Sequence, residues 1–281
     1  MSLHVDHVGG AGVPLLFIHG WGMHSGMWGD VLVRLADQFA VSAVDLPGHG
    51  YSHRNEDLDR KCLPSTSKES GTKFSREGCG IETETLDTIV DNLSIQFSGP
   101  LTVCGWSLGG QVALRWAMRY PEQVRHLVLV SSTPCFVQQT DWPCAMAAQT
   151  LADFSAALQQ DYAATLRRFL ALQLRGSEKE RELLLALRRS LMSRGEPGLA
   201  ALQAGLEILN DVDLRADLPG IHQRTLVISG DRDTLTPLQA SQYIVDRMPD
   251  ARLATIAGAA HVPFLSHTEE FVKRMAEFSH E

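Results

Sequence analysis

No stretch of this sequence approaches the roughly 18 uncharged apolar residues that span a bilayer. A membrane-spanning helix is therefore excluded from the reading. The N-terminus, Met1-Ser2-Leu3-His4-Val5-Asp6-His7, does not set a basic region before a long apolar run, so no secretory signal is read there. Cysteine is scarce. The five cysteines, Cys62, Cys79, Cys104, Cys135 and Cys144, are odd in number and irregularly spaced. That argues against a disulfide framework and for a reduced, cytoplasmic setting. Positive charge is in deficit, with a net charge of −8, which removes the global signature of a nucleic-acid binder and leaves room only for a local basic patch. No internal repeat is present.

What is there fits one large α/β domain with an elaboration. The length of 281 residues, 44% hydrophobic and 21% charged, allows a core big enough to hold a rigid site. Short apolar runs read as buried strands of a parallel sheet: Leu15 to Ile18, Val41 to Val44, Leu101 to Cys104, Leu127 to Val130, Thr225 to Ile228 and Arg252 to Ile256. Helical patterns such as Gln111 to Arg119 and Ala240 to Arg247 lie between them. Strand and helix in alternation predict a mostly parallel, doubly wound sheet, whose functional loops gather at the carboxyl ends of the strands. Two regions break the rhythm. Residues 53–84 are polar and aperiodic and are expected to form a flexible insertion. Nothing in the sequence demands that Cys62 and Cys79, both within it, pair. Residues 134–218 show helical periodicity without a strand, which predicts a helical cap set into a core of residues 1–133 and 219–281.

Gly105-Trp106-Ser107-Leu108-Gly109 joins an apolar run to a run of helix formers. A serine at the crest of so tight a turn needs small neighbours two positions away, and its hydroxyl is raised at a helix N-terminus. Ser107 is thus a candidate nucleophile. A serine hydroxyl needs a base, normally histidine. His261, in Gly258-Ala259-Ala260-His261-Val262-Pro263-Phe264, follows the last apolar run, whereas His267 and His280 fall at or within a terminal helix. An acid should come from the loop after the preceding strand, where Asp231 and Asp233 are both candidates. Developing oxyanion charge calls for preorganised N–H donors. Leu108, after the nucleophile, and Trp21, in His19-Gly20-Trp21-Gly22, are the candidates, with His19 read as structural. Asp45-Leu46-Pro47-Gly48-His49-Gly50 is read as a structural turn at the edge of the cleft.

Together these motifs resemble the α/β-hydrolase superfamily over residues 14–53, 85–133 and 219–275. In Gly20-Trp21-Gly22, Gly105 to Gly110, Ser131 to Phe136, Arg168 to Gln173, Gly205 to Leu209 and Ala259 to Phe264, the sequence resembles the BioH-type pimeloyl-acyl carrier protein methyl ester esterases. The resemblance implies a serine esterase of biotin synthesis that forms an acyl-enzyme and needs neither cofactor nor metal. The family spacing of acid, three residues and proline selects Asp233. Trp21, Trp106, Leu108 and Phe169 would line an apolar acyl channel. Arg168, Arg181 and Arg188 on the cap would meet the acidic acyl carrier protein, with no nucleic acid or membrane as partner and the enzyme a monomer. The insertion at 53–84 departs from the family. Other readings of the same motifs are a broad short-chain carboxylesterase, a carbon–carbon bond hydrolase and a non-enzymatic binding protein. A dehalogenase would need a carboxylate where Ser107 stands.

Overall fold

The computed structural model describes residues 2–52 and 84–280. The expected insertion, with Cys62 and Cys79, lies outside the described residues apart from Glu84. Seven strands form one sheet: β1 (Val5–Gly9), β2 (Val13–Ile18), β3 (Phe39–Val44), β4 (Leu101–Trp106), β5 (Val124–Val130), β6 (Arg224–Gly230) and β7 (Ala251–Ile256). Their spatial order is β1-β3-β2-β4-β5-β6-β7. All neighbours run parallel except β1, which pairs antiparallel with β3 through Val5–Val44 and Asp6–Ala43. The sequence reading missed β1, because the edge strand mixes Asp6 and His7 with valines and buries no face completely. The central strand β4 is buried at every position, as a strand covered on both faces by helices must be.

The helices flanking the sheet are α1 (Asp30–Leu35), α2 (Leu86–Gln96), α3 (Leu108–Arg119), α8 (Leu238–Arg247), α9 (Pro263–Ser266) and α10 (Thr268–His280). Thr85 and Thr88 form a reciprocal cap at the start of α2, satisfying N–H groups that the first turn leaves unpaired. Between β5 and β6 the chain runs through four further helices: α4 (Ala148–Gln160), α5 (Tyr162–Leu174), α6 (Glu180–Met192) and α7 (Leu199–Asp211). Each buries a leucine stripe, such as Leu183, Leu187 and Leu191 on α6, which is what leucines at helical spacing predict.

This four-helix segment is fastened to the carboxyl ends of the strands by named bonds. The Trp21 indole N–H donates to the Leu202 carbonyl at 2.8 Å. His24 Nε2 donates to the Ser190 carbonyl at 2.8 Å. Arg194 reaches Asp6 at 2.7 Å and Ser25 Oγ at 2.7 Å. Among the described residues no helix is long and apolar enough to cross a membrane.

Candidate active site

Ser107 sits between β4 and α3 with φ 55° and ψ −118°. A side chain other than glycine is costly there, and such strain persists only where the surroundings enforce it. They do: the Ser107 N–H donates to the Val130 carbonyl at 2.9 Å, and its own carbonyl accepts from Ser132 Oγ at 2.8 Å. Gly105 and Gly109 face each other across the turn, so closely that a Cβ at Gly105 would lie 2.2 Å from the Gly109 carbonyl oxygen. Leu108 begins α3, where a first-turn N–H has no partner within the helix. The loop after β2 comes against Ser107 from the other side: a Cβ at Gly20 would stand 3.1 Å from the Ser107 Cβ. The backbone of Trp21 follows directly.

His261 lies on the loop between β7 and α9, almost wholly buried. Its ring Nδ1 is 2.8 Å from Asp233 Oδ2. A carboxylate only accepts, so Nδ1 carries the proton and Nε2 is left as the acceptor. The backbone of His261 is held from two sides: its carbonyl accepts from the Trp106 indole at 2.9 Å, and its N–H donates to the Gln173 carbonyl of α5 at 3.1 Å. Below the loop, Phe264 packs against Trp106 and Trp28 at ring separations of 5.0 and 4.4 Å.

Of the two candidate acids, Asp233 faces the imidazole. Its Oδ1 accepts from the N–H groups of Leu235 and Thr236 at 2.9 and 3.0 Å, and its Oδ2 from Thr236 Oγ at 2.7 Å. The bond two residues ahead is an Asx turn, so the loop itself orients the carboxylate. Burial opposes the charge, but His261 and the Thr236 donors outweigh it and hold the carboxyl below the usual carboxylate range. Asp231 is exposed and accepts from the Gly258 N–H at 2.7 Å, bracing the loop of the histidine without touching its ring. Arg232 turns away from it to Gly176 and Glu178.

His19 is fully buried. Its Nε2 accepts from the Leu46 N–H at 2.9 Å, so Nδ1 donates to the Gly20 carbonyl at 2.8 Å. Burial, with His49 beside it, pushes its imidazole down to about 3, so it stays neutral.

A small apolar cavity of about 40 Å³ lies between this floor and the helices above, below the usual volume of a small-molecule site. Trp21, Phe154 and Phe169 meet there edge to face, with Trp21–Phe169 at 4.7 Å. Phe136, Leu206 and Leu235 complete much of the wall. Two residues expected to line an acyl channel are not part of this cavity's wall. Trp106 is buried, and its indole N–H is committed to the His261 carbonyl. The Leu108 side chain is also outside the cavity wall. Arg168 on α5 and Arg181 and Arg188 on α6 are all exposed. The sequence reading did not single out Ser132, Thr236 or Gln173 as site residues. Thr236 carried a signal, since a hydroxyl three positions after an acid can bond back to it. Among the described residues no cluster of three or more His, Cys, Asp or Glu could hold a metal ion.

The family profile described as alpha/beta hydrolase fold matches residues 13–268. A pimeloyl-acyl-carrier protein methyl ester esterase of Nitrosomonas europaea is 42% identical over 271 residues, covering 96% of this chain and 97% of the relative. A protein of the same name from Nitrosospira multiformis is 37% identical, covering 99% and 98%. Among solved structures, an esterase from Exiguobacterium antarcticum superposes with a TM-score of 0.80 at 20% identity, covering 99% of this chain and 96% of that one. A bromoperoxidase from Bacillus anthracis gives 0.82 at 20% identity, covering 99% and 95%. At that identity the likeness speaks for the fold alone.

Proposed function

The chain belongs to the α/β-hydrolase fold family and, within it, to the pimeloyl-acyl-carrier protein methyl ester esterases, and on that premise we propose that Ser107, His261 and Asp233 act together in hydrolysing the methyl ester of a pimeloyl chain on acyl carrier protein. It is a carboxylic ester hydrolase. The observation that carries the assignment of residues is the buried Asp233–His261 pair at 2.8 Å, whose histidine backbone is bonded to Trp106, the residue before the strained Ser107.

In this reading the Ser107 hydroxyl attacks the ester carbonyl carbon and gives its proton to His261 Nε2. Asp233 keeps the imidazole in the productive tautomer and stabilises the imidazolium without taking the proton. The N–H groups of Trp21 and Leu108 receive the oxyanion, a contribution of about 10²–10³ in rate per donor. His261 returns the proton to the departing methoxy group, methanol leaves, and water then cleaves the acyl-enzyme. Residues 134–218 serve as the cap, with Trp21 and Phe169 holding the acyl chain. Arg168, Arg181 and Arg188 present positive charge to an acidic carrier, which favours encounter more than tight binding.

The test is hydrolysis of methyl pimeloyl-carrier followed by mass spectrometry, beside growth without biotin of a strain that cannot make the pimeloyl precursor. The expected result is loss of 14 mass units (one CH₂, as methyl ester becomes acid, roughly as for any such exchange) and restored growth. Ser107→Ala should abolish both with the circular dichroism spectrum unchanged. Turnover of small esters without turnover of the carrier-linked ester would replace the reading with a broad carboxylesterase.

A further inference from the structure

Thr236 is fully buried, on the loop between β6 and α8. A valine has the same shape and would fill the place at no polar cost, so the hydroxyl needs a reason beyond packing. Among the described residues its oxygen has two hydrogen-bond neighbours, Asp233 Oδ2 at 2.7 Å and His261 Nδ1 at 3.3 Å. Those two atoms are themselves 2.8 Å apart. A carboxylate only accepts, so the Thr236 O–H donates its one proton to Oδ2. The Nδ1–H, bonded to Oδ2, also meets a lone pair of Thr236 Oγ1. The imidazole proton thus sits inside a closed triangle of heavy atoms. Oδ1 is filled separately, by the N–H groups of Leu235 and of Thr236 itself at 2.9 and 3.0 Å. Pro237 comes next, and a residue before proline is driven toward extended backbone, which limits how far Thr236 can move.

Resting on the reading of Ser107, His261 and Asp233 given above, we propose that Thr236 is a positioning residue for the base: its hydroxyl locks the carboxylate oxygen that holds Nδ1 and takes a share of the Nδ1 proton, which fixes the imidazole in the orientation proton transfer needs. A ring held at one atom by one bond can swing about that bond, and a second acceptor on the same N–H narrows the swing. The hydroxyl also acts on charge. Burial opposes charge on Asp233, and the Thr236 hydroxyl is among the donors that offset it. The other charged groups nearby are engaged elsewhere. Asp231 bonds the Gly258 N–H, Arg232 is bound to Gly176 and Glu178, and Glu178 and His267 stand near Gly258. Trp106 and Gln173, which bond the His261 backbone from the end of β4 and from α5, carry no charge. Without the hydroxyl, the Asp233 carboxylate has one donor fewer. The Asp233–His261 pair then holds the proton it takes up on acidification more firmly, and activity is lost at a higher pH.

The experiment is hydrolysis of p-nitrophenyl acetate by the full-length enzyme, with kcat/KM measured across pH, since its acid limb reports the groups of the free enzyme. Thr236→Val should lower the plateau about tenfold, the effect of one lost hydrogen bond of ordinary strength. It should also move the midpoint of the acid limb up by about one pH unit, a tenfold tighter hold on the proton. Thr236→Ser, which keeps the oxygen and drops the methyl, should hold the plateau within about twofold and the midpoint within about 0.3 units of the parent. Thr236→Ala against Thr236→Ser repeats the comparison without the branched side chain, and serves if the valine variant does not fold. A plateau that falls while the midpoint stays would mean a packing defect and would overturn the proposal. So would a midpoint that moves down, a profile that does not change, or a serine variant that behaves like valine or alanine. His261→Gln in parallel keeps the two ideas apart: a parental plateau in that variant would remove the reading of His261 as the base, whatever Thr236 does.

Discussion

The floor and the roof of this site are built by different physics. On the floor, the groups around the chemistry are wired by short polar bonds. Asp233 accepts from Leu235, two atoms of Thr236 and His261, and Ser107 is tied through both its N–H and its carbonyl. On the roof, the cavity wall is aromatic and aliphatic: Phe154 and Phe169 lean on Trp21, with Leu206 and Leu235 beside them. Proton transfer needs heavy atoms within about 2.6–3.2 Å, and only directional bonds specify position so finely. An acyl chain needs a dry volume of suitable length, which non-directional packing supplies. The site therefore spends its polar groups below and its apolar groups above.

Substitutions can break that contrast. On the floor, Asp233→Asn should lower kcat by about 10⁴, as a wrong histidine tautomer does in triads of this kind. Asp231→Asn should leave kcat within a few-fold, since that carboxylate braces Gly258 and does not touch the ring. Steady-state kinetics on one small ester decides, and the reverse order would reassign the acid.

The polar floor should also respond to acid where the roof does not. His19 holds its proton in the unfolded chain near its ordinary value of 6.5, but in the fold its affinity is pushed down to about 3. Between those values the unfolded state binds the extra proton, so stability falls as pH falls through that window. Going from pH 6.5 to pH 5 should cost about 2 kcal/mol from this group. Urea unfolding at the two pH values measures it, and His19→Gln, which cannot titrate, should flatten the dependence.

On the roof, Phe169→Ala should lower kcat/KM about tenfold for a long acyl ester and less for an acetate, the size of effect expected from lost apolar contact. Equal losses on both would mean that Phe169 supports the floor. At the rim, Arg168→Glu combined with Arg181→Glu should raise KM several-fold for the carrier-linked ester at low salt, with the difference shrinking as salt screens it. KM for a small ester should stay unchanged, and a matching rise would remove the carrier from the account.

Much of the floor was legible in sequence because its parts are local. The elbow needs small residues at fixed spacing, and Gly105, Ser107 and Gly109 display them in order. The strands showed themselves as apolar runs because a parallel sheet is covered on both faces. The choice between Asp231 and Asp233 could not be made from residue type. They lie two apart in one loop, and what separates them is which oxygen meets Gly258 and which meets His261. The resemblance made Trp106 a wall residue without showing that its indole anchors the carbonyl of His261. Gln173 was hidden in a leucine-rich helix whose period says which side is buried, but not that a buried amide goes unpaired.

The strained backbone at Ser107 sets this protein's fitness against its own durability. Glycine would occupy φ 55° and ψ −118° with less resistance. Selection acting on persistence alone would therefore erode Ser107, the proposed nucleophile. A chain that has lost its substrate in some lineage should drift first at that crest, and its inactive descendants should melt later than the enzyme they came from.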